Sequence, residues 1–228
     1  SQGLIQEDGI QVAKWLGARG KVGVFIRKDA VRVSVGSISV MVTVLGVNDG
    51  WFAAEGVTAA RGRILNAQDV AYQHTYCLVG SSLAAALQAD VLSTLQIEHN
   101  AATVVGIAAG KGRLLTEGTG LSAIDFDNAV IMPLSAMPFP RVVAGRLLLD
   151  GLVVTLDQPT EKNVQFHAEQ IHRTLLDNHR QIEDFRIVVP LTLLREADDS
   201  QQVFSLIMGA IAAPSLLVGG IGVINILL

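Results

Sequence analysis

The stretch Val203–Leu228 reads VFSLIMGAIAAPSLLVGGIGVINILL. It contains no Lys, Arg, Asp, Glu or His, whereas Arg195, Glu196, Asp198 and Asp199 stand just upstream. Some 20 predominantly apolar residues, at about 1.5 Å of helical rise each, cross the roughly 30 Å hydrocarbon core of a bilayer; this uncharged run is 26 residues long. A core helix of a soluble domain is shorter and amphipathic, and here the apolar side chains go all the way round. The expectation is a transmembrane helix over 203–228, with the chain stopping inside it, preceded by an extracytoplasmic domain. Gly209, Gly219, Gly220 and Gly222, with Ala212 and Ala213, let backbones approach closely, which is what drives helix packing in lipid. Asn225, the one strongly polar side chain of the span, is expected to hydrogen-bond to a neighbouring helix. Pro214 removes one backbone N–H, a kink that membrane spans tolerate.

Working outward, half of the 228 residues are apolar and only 17% are charged, against about a quarter in ordinary soluble domains. The net charge of −4 carries no basic patch for nucleic acid and no attraction to an anionic membrane surface. One cysteine, Cys77, excludes an internal disulfide or a cysteine-based zinc site and reads as a small apolar residue of a buried strand. The chain begins Ser1-Gln2-Gly3 without a Met or an apolar signal core, so its natural start is expected to lie elsewhere.

Upstream of the span, residues 9–17 read as a helix and residues 22–27, 30–35 and 37–47 as strands. Val31, Val33 and Val35 alternate with Arg32 and Ser34, the period of a half-buried strand, and Gly36-Ser37 supplies a hairpin turn. Asn66 is placed to cap a short helix with Asp69 three residues on. Residues 76–79 read as a strand, with Ser81 or Ser82 capping a helix over 83–87. Residues 95–98 and 101–108 flank a turn at His99-Asn100. A glycine-rich loop from Gly106 to Gly120 leads to a strand at 129–134. A strand at 152–156, a helix from Thr160 to about Asn178 and a strand at 185–189 follow. Thr192 caps a last helix that no Gly or Pro interrupts before Met208, so Thr192, Leu193, Leu194, Ala197 and Val203 are expected on a stalk running straight into the bilayer. Residues 1–47 and 146–202 form two strand-and-helix blocks around a strand-rich insertion at 48–145.

Catalytic constellations are missing. Gly106-Ile-Ala-Ala-Gly110-Lys111-Gly112 has three residues where a phosphate-binding loop needs four, and lacks the following Ser or Thr. The loop reads instead as a contact surface for a partner, centred on Gly110, Lys111, Gly112 and Arg113. Val79-Gly80-Ser81-Ser82 is not a nucleophile elbow. His167 and His172 are five apart and do not stack on one helical face. Asp125 and Asp127 read as solvated loop carboxylates.

The stretch Ser215-Leu-Leu-Val-Gly-Gly-Ile-Gly-Val-Ile-Asn-Ile-Leu-Leu228 closely resembles the second transmembrane helix of MacB-type, FtsX-like ABC transporter permeases. Gly46-Val47 with Trp51-Phe52, Gly62-Arg63 and Asp69, then Val79-Gly80-Ser81-Ser82, Val105-Gly106-Ile107, Met132-Pro133-Leu134 and His179 with Glu183-Asp184-Phe185 resemble further family passages in the family's order. Pro214 and the Asp90–Thr94 loop depart from the pattern. The resemblance implies an α+β periplasmic domain between the first and second transmembrane helices. A porter-like βαβ subdomain (1–47 and 146–202) is interrupted by a smaller Sabre-like insertion (48–145), and the membrane helix follows. It implies an inner-membrane protein, with the bulk of this chain in the periplasm, that couples cytoplasmic ATP hydrolysis to efflux by mechanotransmission. No cofactor is implied in this chain; ATP and magnesium belong to an associated ATPase domain or subunit. The implied partners are a second permease copy or a related permease, a periplasmic adaptor and an outer-membrane channel. An FtsX- or LolC-like transmitter acting on a periplasmic enzyme or lipoprotein is the alternative, and a membrane-anchored sensor a third reading.

Overall fold

A computed structural model describes residues 3–110, 113–114, 124–182 and 185–189, with backbone alone for 113–114. Residues 3–158 and 169–188 form one compact unit; 159–168 and 189 belong to a second. In chain order the elements are α1 (Gln6–Leu16), β1 (Gly20–Val35), β2 (Ile38–Val47), α2 (Asp49–Glu55), β3 (Ala59–Gly62), α3 (Ala67–Ala71), β4 (Tyr76–Val79), α4 (Ser81–Leu87), β5 (Thr94–Ile97), β6 (Asn100–Ala108), β7 (Arg113–Leu114), β8 (Ile124–Asp125), β9 (Ala129–Pro133), β10 (Val142–Val143), β11 (Arg146–Leu147), β12 (Gly151–Leu156) and α5 (Glu161–Asn178). The fold is mixed α and β, as expected. The transmembrane helix and stalk expected from the sequence lie outside the described residues, among which no helix is long and apolar enough to cross a membrane.

One strand organises the sheet. On one edge β1 pairs antiparallel with β2, from Phe25↔Val47 to Val35↔Ile38. Its other edge serves two strands in succession: β12 along residues 20–25, then β5 at Val33↔Ile97 and Ser34↔Gln96. Between them the ladder shifts register at Lys28/Val31, with Ala30 at φ 55°. A bulge of this kind bends a strand and adds twist. The two strands read at 22–27 and 30–35 are therefore one, interrupted by the bulge. From β2 the sheet continues through parallel β9, antiparallel β4 and parallel β6 to antiparallel β5. Since β5 also pairs with β1, the strands β1, β2, β9, β4, β6 and β5 close into a ring, with β12 and β3 as outlying strands. The 48–145 segment thus supplies four of the six ring strands.

Side chains alternate across this ring as strand geometry requires. Val24, Ile26, Val31, Val33, Val44, Cys77, Val79, Leu95, Ile97, Val104, Val130 and Met132 belong to one buried cluster to which all six strands contribute, joined by Leu83 and Leu87 of α4. The intervening Phe25, Leu45, Leu78 and Ile131 face a second cluster with Trp51, Phe52, Leu65 and Phe126. Its aromatic rings meet edge-on, Trp51 at 5.4 Å from Phe52 and 5.6 Å from Phe126. Each fully buried Leu, Ile or Phe contributes on the order of 1.5–3 kcal/mol. Cys77 is buried as expected, and burial pushes its thiol up to about 12.

Three local expectations are corrected. Gly80, not a serine, is the N-cap of α4, and Ser81 and Ser82 are its first two helical residues. The β5–β6 turn sits one residue earlier than read, with Glu98 at φ 52° and Ile97 paired to Asn100. Residues 185–189 lie in no described ladder; Phe185 and Ile187 instead pack against Val12, Leu16, Ile171 and Leu175. The helix α2, Asp49–Glu55, has no counterpart among the elements expected from the sequence. In α5, Thr160 Oγ1 accepts the Asn163 N–H at 3.3 Å, as an N-cap does.

Gly80 is required by close approach, since a Cβ there would lie 2.3 Å from Phe126 O and 2.4 Å from Asp127 O, both backbone. Gly80→Ala is expected to cost about 2–4 kcal/mol, because a backbone atom cannot rotate away as a side chain can. Urea unfolding of the chain measures it, with Ala85→Gly, which only lowers helix propensity by about 1 kcal/mol, as the comparison.

Candidate functional site

The sequence-predicted site residues fall largely outside the described structure. Gly209, Gly219, Gly220, Gly222 and Asn225 do, and so do Thr192, Leu193, Leu194, Ala197 and Val203. Of the contact loop, Lys111 and Gly112 lie outside. Gly110 follows β6 beside Ser81 Oγ and Asp127 Oδ1, and the Arg113 backbone pairs with Asp125. Asp125 does not hang free in solvent: it accepts the Asp127 N–H at 3.2 Å and the Asn128 side-chain amide at 2.9 Å.

Polar organisation concentrates instead at two aspartates, the buried charged residues among those described. Asp69 is the third residue of α3. Asn66 Oδ1 accepts the Asp69 N–H at 3.0 Å and Asp69 Oδ2 accepts the Asn66 N–H at 2.9 Å, a reciprocal capping box. The same carboxylate takes two parallel bonds from the Arg63 guanidinium, at 2.5 and 3.0 Å, the fork geometry that makes arginine the preferred partner. His74 Nδ1 lies 3.4 Å from Asp69 Oδ1, and the Arg63 guanidinium carbon sits 5.7 Å from the Tyr76 ring centre. The Arg63 hydrogen bonds outweigh burial, and with Asn66 and His74 they hold the Asp69 carboxyl at about 2, down from 3.8. The sequence located Asn66 and Asp69 as a cap and matched Arg63 only through the family passage.

Asp8 is the third residue of α1. Its Oδ2 accepts the Ile5 N–H at 3.0 Å and receives His179 Nε2 at 2.9 Å, while Oδ1 accepts the Asn178 side-chain amide at 3.0 Å. An ionised carboxylate only accepts, so in this contact Nε2 is the donor. The His179 imidazole meets the Phe185 ring edge to face, with centroids 5.6 Å apart. Around the cluster, Val12 and Leu16 pack with Ile171 and Leu175. Ile5 bridges Leu148, and Leu149 N–H donates to Leu4 O at 2.8 Å. Sequence reading missed Asp8, although a signal existed: it lies on the stripe Asp8, Val12, Leu16, where a carboxylate among apolar residues at helical spacing points inward.

The Arg63–Asp69 pair generates a pH prediction. A carboxyl whose pKa is lowered on folding adds stability that is complete above its unfolded value and lost as pH falls through the folded one. The contribution is on the order of 1–2 kcal/mol, reduced because Arg63 is open to solvent, and it should vanish between about pH 4 and 2. Arg63→Met leaves a buried carboxylate short of its partner and is expected to cost roughly 2–4 kcal/mol at pH 7, and less at pH 3. Denaturant melts of both forms at the two pH values check it.

A family model described as the MacB-like periplasmic core domain matches residues 11–171. The macrolide export ATP-binding/permease protein MacB of Hahella chejuensis is 28% identical over 196 residues, covering 84% of this chain and 28% of that protein. The pyoverdine export ATP-binding/permease protein PvdT of Pseudomonas savastanoi pv. phaseolicola is 35% identical over 133 residues, covering 58% of this chain and 19% of that protein. The chain therefore spans less than a third of the length of these curated relatives. The fold is shared with the periplasmic region of MacB from Actinobacillus actinomycetemcomitans, at TM-score 0.64 and 17% identity, covering 87% of this chain and 84% of that one. It is shared too with the extracellular domain of the noncanonic ABC-type transporter YknZ from Gram-positive bacteria, at TM-score 0.62 and 14% identity, covering 82% of this chain and 90% of that one. With a family match over most of its length and the same fold in the transporter's periplasmic region, the chain belongs to the MacB-like periplasmic core domain family of ABC transporter permeases.

Proposed function

We propose that this chain is the periplasmic part of a MacB-type inner-membrane exporter, moved by cytoplasmic ATP hydrolysis so that its displacement drives efflux. The observation that carries the reading is the placement of the described unit's two ends. Leu4 and Ile5 at the start, and Phe185 and Ile187 at the finish, belong to one corner, packed around α1 and the last turns of α5. A domain entered and left at one corner can be moved as a body by the segments that precede and follow it. The names of the relatives, ATP-binding/permease proteins for macrolide and pyoverdine export, favour export over an FtsX- or LolC-like transmitter.

In this reading the chain is not itself an enzyme. ATP and magnesium bind an ATPase domain or subunit, two permease copies or a related pair assemble, and an adaptor with an outer-membrane channel completes the route. The porter-like segments are 1–47 and 146–202, the Sabre-like segment is 48–145, and the stalk from Thr192 leads into the bilayer at Val203.

Inserting Gly-Gly after Asp199 interrupts the stretch read as a continuous stalk helix. In the intact transporter, ATP turnover is expected to persist while efflux of a fluorescent substrate falls about ten-fold, since flexible glycine absorbs displacement. Unchanged efflux per ATP would remove the rigid stalk from the mechanism. Partner activation that follows ATP turnover without any efflux would replace the exporter by a transmitter.

A further inference from the structure

The cluster around Asp8 has a position that packing alone does not account for. Asp8 lies three residues past the bridge at Ile5, and His179 lies 171 positions away in sequence yet 2.9 Å away in space. Between them runs the whole closed sheet. Two kinds of contact therefore join the two ends. Leu4, Phe185 and Ile187 all pack against the apolar cluster of Val12, Leu16, Ile171 and Leu175, and beside it Ile5, Asp8 and His179 are linked by hydrogen bonds that fix direction as well as proximity.

We infer that Asp8, His179 and Asn178 form a clasp that fastens the start of α1 to the end of α5, so that movement applied at either end turns the domain as one body. The inference rests on the proposed exporter reading and adds the residues through which coupling passes. Three features make the cluster a clasp. Both carboxylate oxygens are engaged, one by Asn178 and the other by His179 and the Ile5 N–H. The His179 and Asp8 side chains are 5% and 1% exposed, so water does not compete for the bonds. The remaining hold on α1 is also short-range. Gly9 brings the helix so near the sheet that a Cβ would meet Val24 Cγ1 at 2.5 Å and Leu152 Cδ2 at 3.2 Å, and Val12 and Leu16 are buried. An 11-residue helix is marginal by itself; released at its first turn, it can peel from the sheet residue by residue. Fastened there, it loads Gly9, Val12 and Leu16 together. Asp8, His179 and Asn178 are positioning residues.

The test uses the full chain in detergent and the intact transporter. Asp8→Ala and His179→Ala are expected to speed hydrogen exchange at the α1 amides, residues 6–16, at least ten-fold, with the amides of β4, β6 and β9 unchanged. In the transporter, efflux per ATP hydrolysed is expected to fall at least five-fold in both. His179→Gln retains an N–H directed at Asp8 and is expected to recover most of both losses; it also serves if an alanine variant fails to fold. A general loss of protection across the sheet, or no change at α1 in any variant, would overturn the clasp. So would faster α1 exchange with efflux per ATP intact. A wild-type transporter without efflux would refute the exporter reading instead, and the exchange data would still decide whether the fastening exists.

Discussion

Backbone polar groups inside a folded domain must be paired, and β1 meets that demand in a way on which the remaining architecture depends. Sixteen residues, Gly20–Val35, are too many for one short neighbour on the edge opposite β2, since β12 and β5 have only six and four. The bulge at Lys28/Val31 divides the strand: its first part holds β12, its second part bends to meet β5. It also resets the alternation of side chains. Val24 and Ile26 point into the ring before the bulge, Val31 and Val33 after it, which an unbroken period of two would not permit. The matching irregularity on β6, where Cys77 pairs with Val104 but Leu78 with Gly106, lets Val104 and Ile107 share that interior. Ring closure leaves β12 and β3 as the outlying strands of the main sheet and removes the other edges at which another chain could add.

With the sheet closed, α1, β12 and the end of α5 lie outside the ring, and they hold the unit's two ends. Their cohesion comes from a small apolar cluster, Val12, Leu16, Val22, Ile171 and Leu175, with partly buried neighbours around it, and from the hydrogen bonds of Asp8. The division of labour is physical. The ring rests on a large buried apolar surface, whereas the smaller cluster under α1 gains direction from the hydrogen bonds of Asp8.

The sequence made much of this legible. Alternating valines marked β1 and β2, the Asn66–Asp69 spacing marked the α3 cap, and the isolated Cys77 marked a buried strand, because each signal is local and has a direct steric or hydrogen-bonding cause. The bulge was half visible, as two strands separated by Lys28 and Asp29. What stayed hidden was long-range. Nothing in residues 94–97 says that they pair with residues 33–34 as well as with their hairpin partner. The serines after Gly80 looked like caps because serine favours that position, but the packing of Phe126 and Asp127 onto Gly80 requires a residue without a side chain there. Asp8 carries no local signal of its partners, because Asn178 and His179 lie 170 and 171 positions further along the chain.

Asp8 and Asp69 together show how the domain uses buried charge. Each is the third residue of a helix, each accepts the N–H of its own N-cap residue, and each takes a second set of bonds from beyond that helix: His179 and Asn178 for one, Arg63 and His74 for the other. A local cap alone would be satisfied by an exposed carboxylate and would say nothing about orientation. A distant partner alone would leave the helix free to start elsewhere. Combining both in one side chain fixes where the helix begins and which way it points, at the cost of desolvating a carboxylate. Replacing such a pair by apolar residues is often neutral for stability, so stability is a weak reason for its presence. Directional bonds at the first turn of a helix are a better one in a domain whose proposed work is to transmit displacement, because apolar contacts slide where hydrogen bonds hold register.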